Sequence, residues 1–240
     1  MDLTTFISDS NRLLDSLPAG DKEHFLADCD TVVLEFGQIL AEPGEEILYV
    51  YFPVDCLISL LVRLENQARL KVSMTGNEGM LGTPLMLDAR TSPLQAQVEG
   101  VGTALRMSSA CFLSHLESTP ALAKLIKRYM NGLFTQVSQS AACNYYHAVE
   151  ARLARWLLMT HDRTSGDQLQ LTQSFLASML GVRRSSITLA ARALQKRELI
   201  DYYRGNITVH DRPGLEKASC RCYAADQEIY SQMVGPAKLH

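Results

Sequence analysis

The sequence lacks any long apolar run. Its most apolar stretch, from Cys56 to Val62, is far shorter than the ~20 residues that cross a bilayer, and it suits a buried strand. The N-terminus, MDLTTFISDS, also lacks the basic segment and apolar stretch of a secretory signal. We therefore expect a cytoplasmic protein without a membrane partner.

Motifs of the common enzyme classes are missing as well. We find no nucleophile elbow, no glycine-rich phosphate loop and no paired metal ligands, so we expect no enzyme and no catalytic residues. The six cysteines are scattered, which is typical of reduced thiols: Cys29, Cys56, Cys111, Cys143, Cys220 and Cys222. The single residue between Cys220 and Cys222 fits the usual zinc spacings poorly, and we expect no metal site.

Charge is distributed unevenly along the chain. The net charge is −3, from 23 basic and 26 acidic residues. Residues 150–217 contain eleven Lys or Arg and seven Asp or Glu, a net +4, which leaves −7 for the remainder. A basic segment in an acidic protein indicates a polyanionic partner, although charge runs commonly just solvate a face.

The segment 31–107 has the pattern of a β-structure. Short β-rich runs alternate with turn segments at 42–45, 65–67, 76–79 and 100–102, which predicts an antiparallel sandwich or barrel. The predicted strands are Thr31–Phe36, Ile47–Phe52, Cys56–Leu64, Arg69–Met74, Leu94–Val98 and Thr103–Met107. Short helices are predicted over residues 1–28, with Phe25 and Leu26 facing inward.

A helical period replaces this pattern from about Pro120. A stripe of mostly apolar residues recurs every three or four positions, which predicts one long helix. The stripe comprises Leu122, Ile126, Tyr129, Leu133, Val137, Ala141, Asn144 and Ala148. It needs a partner, either the same helix of a second subunit or the protein's own barrel. A hinge is predicted near 147–150, and a second helix, Glu150–Thr160, follows it. The segment 164–167 terminates this helix. Residues 226–233 are predicted to form a last helix.

Residues 169–210 predict a helix-turn-helix followed by a wing. Thr172 can cap a first helix, Gly181 can take the left-handed conformation of a tight turn, and Val182 then enters the core. Ile187, Ala190, Ala191 and Leu194 give the second helix its buried side. Leu199–Tyr203 and Ile207–Val209 read as a hairpin turning at Gly205-Asn206, with Arg204 at its tip.

The exposed start of the second helix has the chemistry of DNA reading. Arginine can donate two hydrogen bonds to guanine, and hydroxyls can donate to phosphates. Residues 183–204 hold six basic and two acidic residues. The predicted DNA-binding residues are Thr172, Gln173, Arg183, Arg184, Ser185, Ser186, Thr188, Leu189, Arg192 and Arg204. The alternative is a winged helix that contacts protein, with solvated arginines.

Taken together, this order of barrel, long helix and winged helix-turn-helix resembles the Crp/Fnr family of bacterial transcription regulators, as does the turn at residues 37–44. The resemblance implies a homodimer joined by the long helix, a two-fold symmetric DNA site and RNA polymerase as a partner. Better-known members begin the reading helix Arg-Glu and carry a further Arg five residues after the first. Those places hold Arg184, Ser185 and Leu189 here, so we expect a different half-site.

The sensor departs further from the family. Cyclic-nucleotide binders use Gly-Glu-Leu and Arg-Ser segments, whereas this chain has Gly82-Thr83 and Arg90-Thr91-Ser92. With Tyr129, these residues are our predicted effector pocket. Since the ribose-binding carboxylate is lost, we expect no tight binding of cyclic AMP. Only Cys29 lies near the N-terminus, so we expect no iron–sulfur cluster. We expect no haem either. An axial ligand could in principle come from His24, His115, His147 or Cys56, but each of these is typical of an ordinary structural or surface residue.

The sequence thus predicts an α+β protein with four regions. These are a cyclic-nucleotide-binding-like jelly-roll barrel with N-terminal helices (1–118), a dimerisation helix (119–148), a winged helix-turn-helix (149–222) and a tail (223–240). The expected function is signal-controlled, sequence-specific DNA binding, with the effector unknown. The alternative is a ligand-binding module that regulates a protein partner.

Overall fold

The computed structural model describes residues 10–63, 69–163 and 166–234. The predicted turn at 65–67, residues 164 and 165 of the predicted helix end, and the termini of the chain fall outside these ranges. The chain divides into two compact units. The first comprises Met1–Ser59 and Met74–Tyr129, and the second comprises Leu60–Ser73 and Met130–His240.

The N-terminal half of the chain is dominated by short strands. In order, its elements are α1 (Ala19–Ala27), β1 (Asp30–Leu34), β2 (Ile39–Ala41), β3 (Tyr49–Pro53), β4 (Leu57–Arg63), β5 (Arg69–Thr75), β6 (Gln95–Gly100), β7 (Gly102–Ser108), α2 (Ser109–Ser118) and α3 (Pro120–Tyr146). A short 3-10 helix, Thr83–Leu87, precedes β6.

These strands form two sheets, ordered β1-β7-β3 and β2-β6-β4-β5. The pairs β1–β7, β3–β7 and β2–β6 are antiparallel. The rings of Phe25, Phe52 and Phe112 are buried together, with ring centroids 5.3 Å apart for the first pair and 6.3 Å apart for the second. The antiparallel sheets confirm the predicted fold class; Leu26, predicted to face inward, is only half-buried.

The apolar stripe of the long helix α3 is buried along the first part of the helix and exposed along the second part. In the first unit Leu122, Ile126 and Tyr129 are buried. In the second unit Val137 is 38% exposed and its neighbour Phe134 is 74% exposed. The apolar stripe is thus covered in its first half and open in its second half within one chain.

The rest of the chain is mainly helical. Its elements are α4 (Val149–His161), β8 (Gln168–Gln170), α5 (Gln173–Leu180), α6 (Arg184–Lys196), β9 (Ile200–Tyr203), β10 (Asn206–Val209), α7 (Arg212–Ala218) and α8 (Cys222–Val234). Extended backbone at Ala148 separates α3 from α4, at the place where the sequence predicts a break. Among the described helices, none combines the length and apolarity that a bilayer crossing requires.

Candidate nucleic-acid interface

Helix α5 and the turn after it are built by two local signals. The Thr172 hydroxyl accepts a hydrogen bond from the backbone N–H of Phe175 at 3.1 Å, which caps the helix. At the other end Gly181 is left-handed, with φ +60°, and its N–H bonds to Ala177. A side chain at this φ is strained, so glycine favours the tight turn into α6. Val182, expected to enter the core, is only half-buried because the turn lies at the surface.

Helix α6 buries one face and exposes the other. Ile187, Ala190, Ala191 and Leu194 are buried, as the apolar spacing predicts. Arg183, Arg184, Ser185, Leu189 and Arg192 are exposed, while Ser186 and Thr188 are half-buried. The Thr188 hydroxyl lies 3.2 Å from Gln173 Oε1 and bonds to the Arg184 carbonyl at 3.1 Å. The leading end of α6 therefore presents two guanidinium groups and a serine hydroxyl to solvent.

The wing turns one residue earlier than the sequence predicts. Tyr203 pairs with Asn206, so the two-residue turn is Arg204-Gly205 rather than Gly205-Asn206. Both turn residues have positive φ, +48° and +88°, as a tight turn between twisted strands requires. The strand register decides this, since Ile207 and Val209 must point into the core. Arg204 remains at the tip, and its guanidinium lies 5.2 Å from the ring of Tyr203.

A third strand, β8, joins the wing on its other side. It pairs antiparallel with β10, in the order β8-β10-β9. The N–H of Leu171, next to β8, donates to the Gly205 carbonyl at 2.7 Å, and the Tyr202 hydroxyl donates to the Leu171 carbonyl at 3.2 Å. The wing is thereby fastened to the start of α5.

A groove between α5, α6 and the wing collects several of the predicted residues. We call it the helix–wing groove; it is lined by Thr172, Gln173, Arg184, Tyr202, Arg204 and Gly205. Burial raises the pKa of the Tyr202 hydroxyl, and the nearby positive charge of Arg184 opposes that shift. Tyr202 was not predicted as a site residue, because in the sequence it reads only as an alternating strand position.

The other predicted residues of this surface lie outside the groove. Arg183 and Ser186 line a separate cavity with Arg69, Leu70 and Ser178. There the Ser178 hydroxyl donates to the Arg69 carbonyl at 2.8 Å. The Lys71 ammonium also lies 3.4 Å from the ring centroid of Phe175. This short piece of β5 therefore packs against α5, close to the turn that leads into α6.

The predicted effector residues have contacts in three places. Gly82, with φ +112°, caps the 3-10 helix that Thr83 begins. Backbone bonds link Arg90 to Ile47 and Ser92 to Glu45, and Thr91 forms a bridge with Glu46. Tyr129 is buried, with its hydroxyl 3.4 Å from Thr75 Oγ1 and 3.5 Å from the Met80 carbonyl.

The four candidate haem ligands lie in different surroundings, and two of them, His115 and His24, contact each other. His115 is buried; its Nε2 lies 2.9 Å from Asp28 Oδ2, and its ring packs on Phe25. His24 packs against His115, with ring centroids 5.1 Å apart. Cys56 lies in the core, where burial raises the pKa of its thiol to about 12. His147 is exposed at the end of α3, beside Cys222.

Comparison with known proteins finds one matching domain family and several solved structures with a similar fold. Residues 151–218 match the family of Crp-like helix-turn-helix domains. FixK2 from Bradyrhizobium japonicum is similar in fold, with a TM-score of 0.69 and 13% identity over 80% of this chain and 98% of that chain. The regulator TTHB099 from Thermus thermophilus gives 0.66 and 15%, over 78% and 96%. CLP, the c-di-GMP-responsive global regulator of Xanthomonas campestris, gives 0.64 and 16%, over 80% and 99%. A search of curated protein sequences found no match.

The capped helix, tight turn, exposed second helix and wing, with the match over residues 151–218, define a DNA-binding transcription regulator. More particularly, residues 151–218 match the Crp-like helix-turn-helix domains, and the chain has the fold of the Crp/Fnr regulators. The predicted family resemblance and function class are thereby confirmed.

Proposed function

We propose that this protein binds DNA sequence-specifically by inserting the leading end of α6 into the major groove. The observation that carries the proposal is the exposed Arg183-Arg184-Ser185 segment at the first turn of a helix whose opposite face is buried. A helix in this position reads base edges with its N-terminal residues. Arginine there can contact guanine O6 and N7 with both arms of its guanidinium.

Within the helix–wing groove the residues would divide their roles. Arg184 is on the reading helix and would contact a base, together with the exposed Leu189 and Arg192 farther along. Thr172, Gln173 and Arg204 lie on the flanking elements and would contact phosphates. Ser185, Ser186 and Thr188 offer hydroxyls along the same helix.

The protein would act as a homodimer through α3. The support is the run of exposed apolar side chains on the second half of the helix, Phe134, Val137 and Tyr145. An amphipathic helix gains stability by burying such a face, and a second copy of the same helix supplies a matching one. Two copies of α6 would then read a two-fold symmetric site, with half-sites about one helical turn apart.

Control would come from the N-terminal region, with residues 82–83, 90–92 and Tyr129 as the proposed effector pocket. A signal changes DNA affinity only if it binds one arrangement of the protein better than another. The break at Ala148, between α3 and α4, is the proposed hinge. RNA polymerase is the proposed protein partner.

The test is operator selection from random duplexes, followed by gel shift at fixed salt. Arg184→Ala should cost ~1–3 kcal/mol of binding free energy and relax one base position in each half-site. Arg128→Ala removes an exposed arginine from α3 and serves as the matched control. If Arg184→Ala binds as tightly and selectively as the wild type, α6 does not read the bases.

A further inference from the structure

Four potential metal ligands meet at the end of the long helix. The ligand atoms of Cys143, His147, Cys220 and Cys222 all lie within 4.8 Å of one another. Cys143 and His147 are one turn apart, and the His147 N–H bonds to the Cys143 carbonyl at 3.1 Å, so both side chains share a face. Cys220 lies between α7 and α8, and Cys222 is the first residue of α8.

The spacing of these atoms suits a single ion. Cys143 Sγ lies 3.5 Å from Cys220 Sγ, and Cys222 Sγ lies 3.5 Å from His147 Nδ1. Zinc bonds of about 2.3 Å to sulfur and 2.0 Å to nitrogen, at tetrahedral angles, separate neighbouring ligand atoms by about 3.5–3.8 Å. The same sulfur–sulfur distance is far longer than the ~2.05 Å of a disulfide bond.

The surroundings are those of a supported thiolate site. Cys143 and Cys222 are buried, while Cys220 is 9% exposed. The Gln139 side-chain N–H donates to Cys222 Sγ at 3.0 Å, and the Cys222 backbone N–H donates to Cys220. Such donors to sulfur orient and stabilise the ligands of metal sites. His147 is exposed, so an ion can reach the ligands from solvent.

The charge around the cluster also favours a cation held by thiolates. Three thiolates and one divalent ion leave one excess negative charge. Arg152 and Arg155, both on α4 and both buried, interact electrostatically with Cys143. The positive charge of these guanidinium groups favours the thiolate form of Cys143 and opposes the one excess negative charge of the occupied site.

We infer that Cys143, His147, Cys220 and Cys222 bind one zinc ion tetrahedrally, as three thiolates and one imidazole. On binding, the three thiols lose their protons to solvent and no electrons are transferred. Since the protein supplies all four ligands, the site is closed and structural rather than catalytic. The ion ties the last turn of α3 to the segment between α7 and α8. This inference does not depend on DNA binding.

The site could not be predicted from the sequence, because the two pairs of ligands lie far apart in the chain. Cys143 and Cys220 are 77 residues apart in the chain. Within each half, Cys-x3-His and Cys-x-Cys differ from the common zinc spacings. Only the fold brings the halves together.

The experiment uses the full-length protein, purified under reducing conditions. Elemental analysis should find about one zinc per chain, as a closed Cys3His site requires. After removal of zinc with a chelator, titration with Co²⁺ should give a thiolate-to-cobalt charge-transfer band and the intense visible absorption of tetrahedral cobalt. Absence of bound zinc together with absence of these cobalt bands would overturn the inference.

Variants then assign the ligands. His147→Ala changes an exposed residue and should keep the circular dichroism of the wild type while losing most of its cobalt absorption. His147→Cys should restore tetrahedral cobalt binding, with a stronger charge-transfer band. Cys222→Ser should lose the ion as well.

Cys111→Ser is the matched control, because Cys111 belongs to another group of potential ligands, with Asp28 and His115. It should retain the ion. Loss of zinc in Cys111→Ser but not in Cys222→Ser would place the ion elsewhere. Unchanged cobalt absorption in His147→Ala would equally contradict the assignment.

Discussion

The guanidinium of Arg155 donates two hydrogen bonds to the carboxylate of Asp226, at 2.6 Å from Nε and 3.0 Å from Nη2. Both side chains are buried, so the pair joins α4 to α8 in the interior of this part of the protein. Arg155 also donates to Ser140 on α3, at 3.0 Å. One residue thus links three helices.

Removing one partner of this pair should destabilise the protein strongly. Asp226→Ala leaves a buried guanidinium without its carboxylate, and we expect a loss of about 3–5 kcal/mol in the free energy of unfolding. Glu150→Ala breaks the exposed pair with Arg197 and should cost at most about 1 kcal/mol. Urea unfolding followed by circular dichroism measures both. Equal losses in the two variants would mean that the buried pair is not a main support of this region.

The cap of α5 gives a second prediction. Thr172→Ala removes the hydroxyl that accepts from Phe175 N–H and should lower the free energy of unfolding by about 1 kcal/mol. Thr172→Ser keeps the acceptor and should stay near the wild type. Urea unfolding of the three proteins compares them directly. A serine variant as unstable as the alanine variant would show that the threonine methyl group, rather than the cap, provides the stability.

The wing should contribute to affinity without contributing to selectivity. Arg204→Asn removes the charge but keeps a residue that tolerates the left-handed turn conformation. Binding should weaken for all DNA sequences, and the slope of log affinity against log salt should fall by about 0.9, one phosphate contact. Arg204→Lys should keep that slope. A change in the selected operator would instead assign Arg204 to base reading.

The open half of the α3 stripe predicts the oligomeric state. In the proposed dimer, Val137→Glu would bring like charges together at the interface between the two α3 helices, and it should convert the dimer to a monomer. Lys127→Glu, on an exposed position of the same helix, is the control. Light scattering coupled to size-exclusion chromatography gives the mass. A Val137→Glu protein that remains dimeric at the same concentration would place the interface elsewhere.

The sequence predicts best what short-range chemistry decides. The Thr172 cap, the Gly181 turn and the buried face of α6 each depend on residues within one or two helical turns, and each is present as predicted. The wing turn was misplaced by one residue, because the turn preference of Gly-Asn is weaker than the burial of Ile207 and Val209 that fixes the register.

What the sequence could not predict depends on distant pairing. Strand β8 has three residues, too few for an alternating pattern, and it exists because β10 offers it an edge. Tyr202 joins the helix–wing groove only because the wing folds back on α5. The meeting of Cys143 with Cys220 is of the same kind.

The bonds of Leu171 to Gly205 and Tyr202 have a further consequence for control. Because they fasten the hairpin to the start of α5, the two walls of the groove cannot separate without breaking one backbone hydrogen bond and the bond from the Tyr202 hydroxyl. A switch in this protein would then act by changing the orientation of a preformed, rigid unit of α5, α6 and the wing relative to the duplex. It would not need to fold that unit anew.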